Sequence, residues 1–198
     1  NMYQYKGLGI KEEEFVRGQV PMTKTNIRIL SVAKLHLKPD SVVYDVGAGT
    51  GSVSVEMAFL CPRGKIYAIE KKPEGCELIR KNIEKFELRN IEVIEGMAPD
   101  CLEQIEAPTH VFLGGSSGKL AEIVNLIRKK NPKVRFVVNA VTLETLSELA
   151  RLSRKYPEYE DMEIIQAQIT EVRRIADYHM MQGTNPVYIV SFSENEVE

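Results

Sequence analysis

Three groups of residues have the types and spacing to do chemistry. The first is Asp45-Val46-Gly47-Ala48-Gly49-Thr50-Gly51, in which glycines alternate with small residues and an acid stands two positions ahead of them. Glycine accepts positive φ and carries no Cβ, so backbone amides there can come close to a ligand. Amides at the start of a helix also favour a negatively charged group. The second is Glu70, 19 residues after Gly51, where a strand-end carboxylate can accept both hydroxyls of a ribose. The third is the run Gly114-Gly115-Ser116-Ser117-Gly118, a flexible exit from a strand. Glycine spacing argues against a dinucleotide: G-x-G-x-x-G would need a glycine where Ser52 stands, so a pyrophosphate is disfavoured.

These groups need a scaffold, and the surrounding pattern supplies one. Val42-Val43-Tyr44 is a β-branched and aromatic run suited to a buried parallel strand, and SVSVEMAFL after the glycines suits a helix capped by Ser52 or Thr50. KIYAIE is a second strand ending at Glu70. A helix opened by Pro73 follows, then strand IEVIE, which runs into Gly96-Met97-Ala98-Pro99. THVFLGG, the helix LAEIVNLIRKK, the strand VRFVVNA and a helix around LETLSELARLSRKY continue the rhythm. In an open parallel sheet the ligand crevice lies beyond the carboxyl ends of the strands, where all three groups would gather. Upstream, Ile27, Leu30, Val32, Ala33, Leu35 and Leu37 predict an amphipathic helix begun by Thr23 or Thr25 and ended by Pro39-Asp40. MEIIQAQITEVRRI and PVYIVSF read as two long strands around the loop 176–185, an antiparallel pair that closes the sheet. The expected fold is therefore α/β and Rossmann-like, a mostly parallel seven-stranded sheet with an antiparallel C-terminal hairpin. Residues 1–198 are expected to form one domain, with 1–22 an irregular N-terminal segment covering the ligand site.

Composition sets outer limits. A chain of 198 residues can bury roughly 70% of its unfolded surface as one domain. The net charge of −2 offers no bulk attraction to nucleic acid. No apolar run approaches the ~20 residues of a membrane span, and the first residues do not resemble a secretory leader. Cys61, Cys76 and Cys101 are odd in number and lack C-x-x-C spacing, and His36, His110 and His179 are scattered. No metal site or disulfide framework is expected, and the cytoplasm is the expected compartment.

D-x-G-x-G-x-G resembles motif I of the S-adenosylmethionine (SAM) methyltransferases. Taken with PMTK (21–24), YAIEKK (67–72), EGMAP (95–99), FLGGSSG (112–118), VNAVTLET (138–145) and NPV (185–187), the chain resembles one family nearly throughout. That family is the stand-alone precorrin decarboxylating C15-methyltransferases of cobalamin biosynthesis. Motif I alone is shared by hundreds of SAM enzymes, whereas the other segments are specific in combination. The resemblance implies SAM as methyl donor and a polycarboxylate tetrapyrrole, with or without cobalt, as substrate. It implies methylation at C15, loss of carbon dioxide from the C12 acetate, and a homotetramer; the charge and the lack of a long apolar run already argue against nucleic-acid and membrane partners. Its cofactor residues would be Thr23, Asp45, Gly47, Ala48, Gly49, Thr50, Gly51, Glu70 and Ala98. Thr23 is thereby raised from helix cap to ligand. Lys24, Asn139, Gly115 and Ser116 are the candidates nearest the reacting centre. Arg17, Arg28, Arg173 and Arg174 are further cations for substrate carboxylates, and His179 is a lone candidate proton donor.

Two positions depart from the family pattern. Met97 stands where an aspartate is usual, which leaves packing of its thioether and the backbone of Ala98 for an adenine. Ser117 replaces a glycine of the exit loop. Two other classes fit motif I and Glu70: a SAM-dependent RNA methyltransferase, which should carry a basic stripe, and a non-catalytic SAM-binding subunit.

Overall fold

A computed structural model describes residues 5–160 and 162–194. Its centre is a seven-stranded sheet of β1 (Val42–Val46), β2 (Lys65–Glu70), β3 (Ile91–Glu95), β4 (His110–Leu113), β5 (Arg135–Ala140), β6 (Glu163–Ala167) and β9 (Val187–Phe192). The order is β3-β2-β1-β4-β5-β9-β6. The pairs β3–β2, β2–β1, β1–β4 and β4–β5 are parallel, and β9 runs antiparallel to both β5 and β6. Strand order reverses beside β1, which places the crevice at the carboxyl end of that strand.

Alternation along the strands sorts the core into two layers, as period-two pleating requires. Val43, Ile66, Phe112 and Val137 face α1 (Thr25–Leu35) and α2 (Ser52–Leu60). Val46, Ile69, Leu113 and Val138 face α4 (Leu120–Lys130) and α5 (Leu143–Lys155). Ala68 meets Ile79 of α3 (Pro73–Lys85). All of α2 from Ser52 to Ala58 is buried, so its three polar members, Ser52, Ser54 and Glu56, need partners inside the protein.

Helix boundaries differ from expectation. The α1 helix starts after Lys24, which makes no side-chain cap, so neither Thr23 nor Thr25 caps it. It stops at Leu35, short of Leu37, because His36 turns left-handed at φ 55°. Gly51, not Ser52 or Thr50, occupies the N-cap of α2, at φ 81° and without a side-chain bond. Among the described residues, only α5 has a capping hydroxyl, with Thr142 Oγ1 accepting from Thr145 N at 3.2 Å.

The C-terminal quarter also departs from the expected simple pair. The long segment 162–175 breaks at Gln168-Ile169 into β6 and β7 (Thr170–Ile175). Thr184 holds the break through its amide, 2.9 Å from Ile169 O, and its hydroxyl at 3.0 Å. The presumed loop contains β8 (Tyr178–Gly183), which pairs with β7 as a separate two-stranded ribbon. Its tight turn puts Ala176 at φ 53°, so no Asn-Gly or Asp-Gly marked it in sequence.

Candidate functional site

At the carboxyl ends of β1, β2, β4 and β5 lies a cleft of about 430 Å³, within the range of small-molecule sites. Its floor is the glycine loop and one wall is Glu70 with Met97 and Ala98. The other wall is Gly114–Ser117 with Asn139, and Val20–Lys24 close it from above. The structure thus gathers Thr23, Gly47, Ala48, Gly49, Glu70 and Ala98 around one space, together with Lys24, Gly115, Ser116 and Asn139.

The glycine loop works here through closeness. A Cβ on Gly47 would stand 2.8 Å from Gly115 N and 2.9 Å from Gly115 O, and one on Gly49 would stand 3.0 Å from Pro21 O. Most loop amides are already engaged: Gly47 N and Ala48 N donate to Ile69 O, and Gly51 N donates to Ala48 O. Gly49 N donates to Glu70 Oε2 at 2.8 Å. Glu70 therefore does two jobs in one place. Its other oxygen accepts from Lys72 N at 2.9 Å, and each oxygen keeps lone-pair capacity for a hydroxyl. Gly75 of α3 lets the carboxylate lie there, since a Cβ would stand 2.7 Å from Glu70 Cγ. Gly75 was not singled out in the sequence, because a helical glycine has no periodic signature.

Asp45, Thr50 and Gly51 lie behind this surface. Asp45 is fully buried and accepts from Ser54 Oγ at 2.5 Å, while its Oδ1 has no hydrogen-bond partner. Thr50 is buried with its hydroxyl unpaired, its carbonyl accepting from Asn82 Nδ2 at 2.9 Å. Gly51 packs on Ile79.

Burial pushes the Asp45 carboxyl up to about 7, with the Glu70 charge adding to the rise and the Ser54 bond opposing it. The folded protein then holds a proton that the unfolded chain releases near pH 4. This group's contribution is complete below that pH and is lost as pH rises towards 7. The expected loss is on the order of 4 kcal/mol at most across that window. Asp45→Asn is expected to raise Tm at pH 8 and flatten the pH 4–7 slope, as thermal unfolding across pH would measure.

Lys71 Nζ donates to Ser117 Oγ at 2.7 Å, joining the exits of β2 and β4 across the cleft. Ser117 holds φ 51°, so the residue that departs from glycine keeps a glycine-like backbone and adds a hydroxyl for Lys71. Asn139 Oδ1 accepts from the hydroxyl of Ser31, on α1, at 2.9 Å. Lys24 is half exposed and paired with Glu12 at 3.1 Å.

The remaining cation candidates divide. Arg28 is no surface cation: it is fully buried against Glu56. Arg17 stands 3.9 Å from Glu12, while Arg173, Arg174 and His179 sit on the exposed β7–β8 ribbon and do not line the cleft.

A sheet of this order with a glycine loop after β1, an acid ending β2 and a cleft above them defines the SAM-dependent methyltransferase class. The cleft suits that cofactor: Gly47 and Gly49 let the loops around the cleft approach one another without a Cβ between them, and Glu70 presents paired carboxylate oxygens. The chain belongs to the family described as precorrin methyltransferase domain, whose model matches residues 14–194. A relative from Sulfolobus acidocaldarius is 37% identical over 190 residues, with 92% of this chain and 95% of the relative aligned. It bears the name "probable cobalt-precorrin-6B C(15)-methyltransferase (decarboxylating)". The crystal structure of precorrin-6y C5,15-methyltransferase from Geobacter metallireducens superposes with TM-score 0.89 at 35% identity, covering 96% of this chain and 100% of that one. Precorrin 8W decarboxylase from Methanobacterium thermoautotrophicum superposes at 0.85 and 32% identity, covering 93% and 99%.

Proposed function

We propose that this protein methylates C15 of a precorrin or cobalt-precorrin and decarboxylates its C12 acetate side chain in cobalamin biosynthesis. The observation that carries this reading is the convergence of the specific segments (PMTK, GGSSG and the Asn139 region) on the cleft that also holds the glycine loop and Glu70. When bound, SAM supplies an electrophilic methyl group on a sulfonium. Glu70 would accept the ribose hydroxyls, Ala48 and Gly49 would lie against the ligand, Thr23 would cover it, and Ala98 would border the adenine beside Met97. Thr23 lines the cleft beside Gly47–Gly49, within reach of such a ligand. Asp45, Thr50 and Gly51 would support the loop from behind.

Methyl transfer to an enamine-like carbon needs alignment and exclusion of water more than a strong base. In decarboxylation the bonding electrons enter the conjugated macrocycle of the substrate. Gly115, Ser116 and Asn139 would position the acceptor, and Lys24 would meet a substrate carboxylate. Cobalt, where present, belongs to the substrate. Mass spectrometry of a cobalt-precorrin incubated with the protein and SAM tests this reading, with Gly49→Arg alongside. Gain of one methyl and loss of carbon dioxide, both abolished by the substitution, are expected. Methylation alone would remove the decarboxylase role. SAM binding with no product would indicate another acceptor or a binding-only subunit.

The same reading includes a homotetramer working in the cytoplasm. Every residue of the β7–β8 ribbon is exposed, with Val172 at 61% and Met181 at 79%. An isolated two-stranded ribbon is marginal in water, and so much exposed apolar surface calls for a covering partner. A second copy of the chain is the covering partner proposed. Val172→Glu/Met181→Glu is expected to lower the sedimenting mass while leaving far-UV circular dichroism unchanged. Free Cys61 and Cys76 are buried and Cys101 is half-buried, which suits a reducing compartment. No helix among the described residues is long and apolar enough to cross a membrane.

A further inference from the structure

Residues 5–24 have one regular turn of their own, Glu12–Glu14, so their backbone polar groups must find partners elsewhere. A buried ion pair supplies several of them. Arg28 of α1 and Glu56 of α2 are both fully buried, with Nε 2.9 Å from Oε2. That contact is not aligned as a hydrogen bond and acts through charge. The aligned bonds all go to the N-terminal segment. Glu56 Oε1 accepts from Gly9 N at 2.7 Å and Ile10 N at 2.8 Å. Arg28 donates to Thr23 O at 2.9 Å and to Ile10 O, and its guanidinium lies over Phe15 at 4.8 Å.

A second anchor works the same way. Asn82 of α3 is fully buried; its Oδ1 accepts from Val16 N at 2.7 Å and its Nδ2 donates to Val16 O at 3.2 Å. The same Nδ2 bonds Thr50 O, so one side-chain amide ties the segment to the glycine loop.

A buried ion pair contributes little net stability compared with apolar residues of the same volume. What apolar residues cannot supply is a set of fixed bonds to an irregular backbone. We propose that Arg28, Glu56 and Asn82 are positioning residues: they hold the segment 9–23 as the roof of the cofactor cleft and fix Thr23 over SAM. Arg28 sets the Thr23 carbonyl directly. Glu56 links that grip to the helix that leaves the glycine loop, so roof and floor keep a fixed separation. The proposal rests on the cleft being the SAM site.

Arg28→Met/Glu56→Leu tests it, since the pair is replaced by apolar volume and its backbone bonds are lost. The variant is expected to fold with Tm within a few degrees of the parent. Its Kd and KM for SAM, by calorimetry and steady-state kinetics, should rise at least tenfold, while kcat at saturating SAM changes less than threefold. Hydrogen exchange should speed up tenfold or more across 9–23 and stay unchanged in β1, β4 and β5. SAM affinity within twofold of the parent in the folded variant would overturn the proposal, as would unchanged exchange across 9–23. If the double variant does not fold, Arg28→Lys serves: it keeps the charge but not the fork, and should raise KM by a smaller factor through the loss of one carbonyl contact. An unchanged KM would again overturn the proposal. Gly49→Arg separates the two readings. If it leaves SAM binding intact, the cleft assignment fails; if it abolishes binding while Arg28→Met/Glu56→Leu binds normally, only the roof anchor fails.

Discussion

Gly47→Ala is expected to remove SAM-dependent activity almost entirely, with kcat/KM falling about 30-fold to several thousandfold. The added Cβ would stand 2.8 Å from Gly115 N and 2.9 Å from Gly115 O, both backbone atoms. Neither can swing aside as a side chain could, so two loops that line the cleft must separate. Gly47 also holds φ 74°, where alanine costs about 1–2 kcal/mol. Overpacking adds roughly 1–3 kcal/mol, and a total of about 2–5 kcal/mol corresponds to the stated loss. Calorimetry with SAM and steady-state kinetics check it. Gly118→Ala is the control, because a Cβ there meets nothing within 4 Å despite φ 75°. That variant should suffer the backbone cost alone. Similar losses in the two variants would show that φ, not the approach of Gly115, governs position 47.

Glu70→Ala should weaken SAM binding about 10- to 150-fold. The change removes the acceptor for Gly49 N and Lys72 N, and hydrogen bonds to a charged group contribute about 1.5–3 kcal/mol each. It would also remove the oxygens assigned to the ribose. Glu70→Gln keeps one carbonyl oxygen, which can accept from Gly49 N or from a hydroxyl but without the charge. Its loss should fall between parent and alanine, near tenfold. Equal affinity in all three proteins would show that the ribose is held elsewhere.

Much of this architecture was legible because its signals are local. Strand lengths, the strand-loop-helix order and Glu70 ending β2 follow from short apolar runs cut by glycine and proline. The glycine loop carries its own geometry in its composition. Other features depend on partners far away in sequence. Arg28 reads as one more surface cation of an amphipathic helix until Glu56 is seen beside it. Asn82 looks like an ordinary helical polar residue, yet both ends of its amide are used by residues 66 and 32 positions away. The β7–β8 ribbon was missed for a different reason: its turn uses alanine at positive φ, and its strands bury no face, so neither turn chemistry nor alternation marked them. The break after Ala167 was hidden because the β-branched run continues through Ile169 and Thr170. Capping by Thr23, Thr25, Thr50 or Ser52 failed where backbone geometry put Lys24 and Gly51 at the boundary instead.

The long reach of the roof contacts bears on when the site comes into being. Gly9 is 47 positions from Glu56 and Val16 is 66 from Asn82, so this segment, which precedes α2 and α3 in the chain, must wait for both before it can dock. Contacts across such separations form late, because loop closure is unfavourable until other structure has brought the ends together. During refolding, far-UV ellipticity should therefore recover ahead of the capacity to bind SAM. The ligand favours the docked chain by mass action, so cellular SAM would act as the last partner in folding.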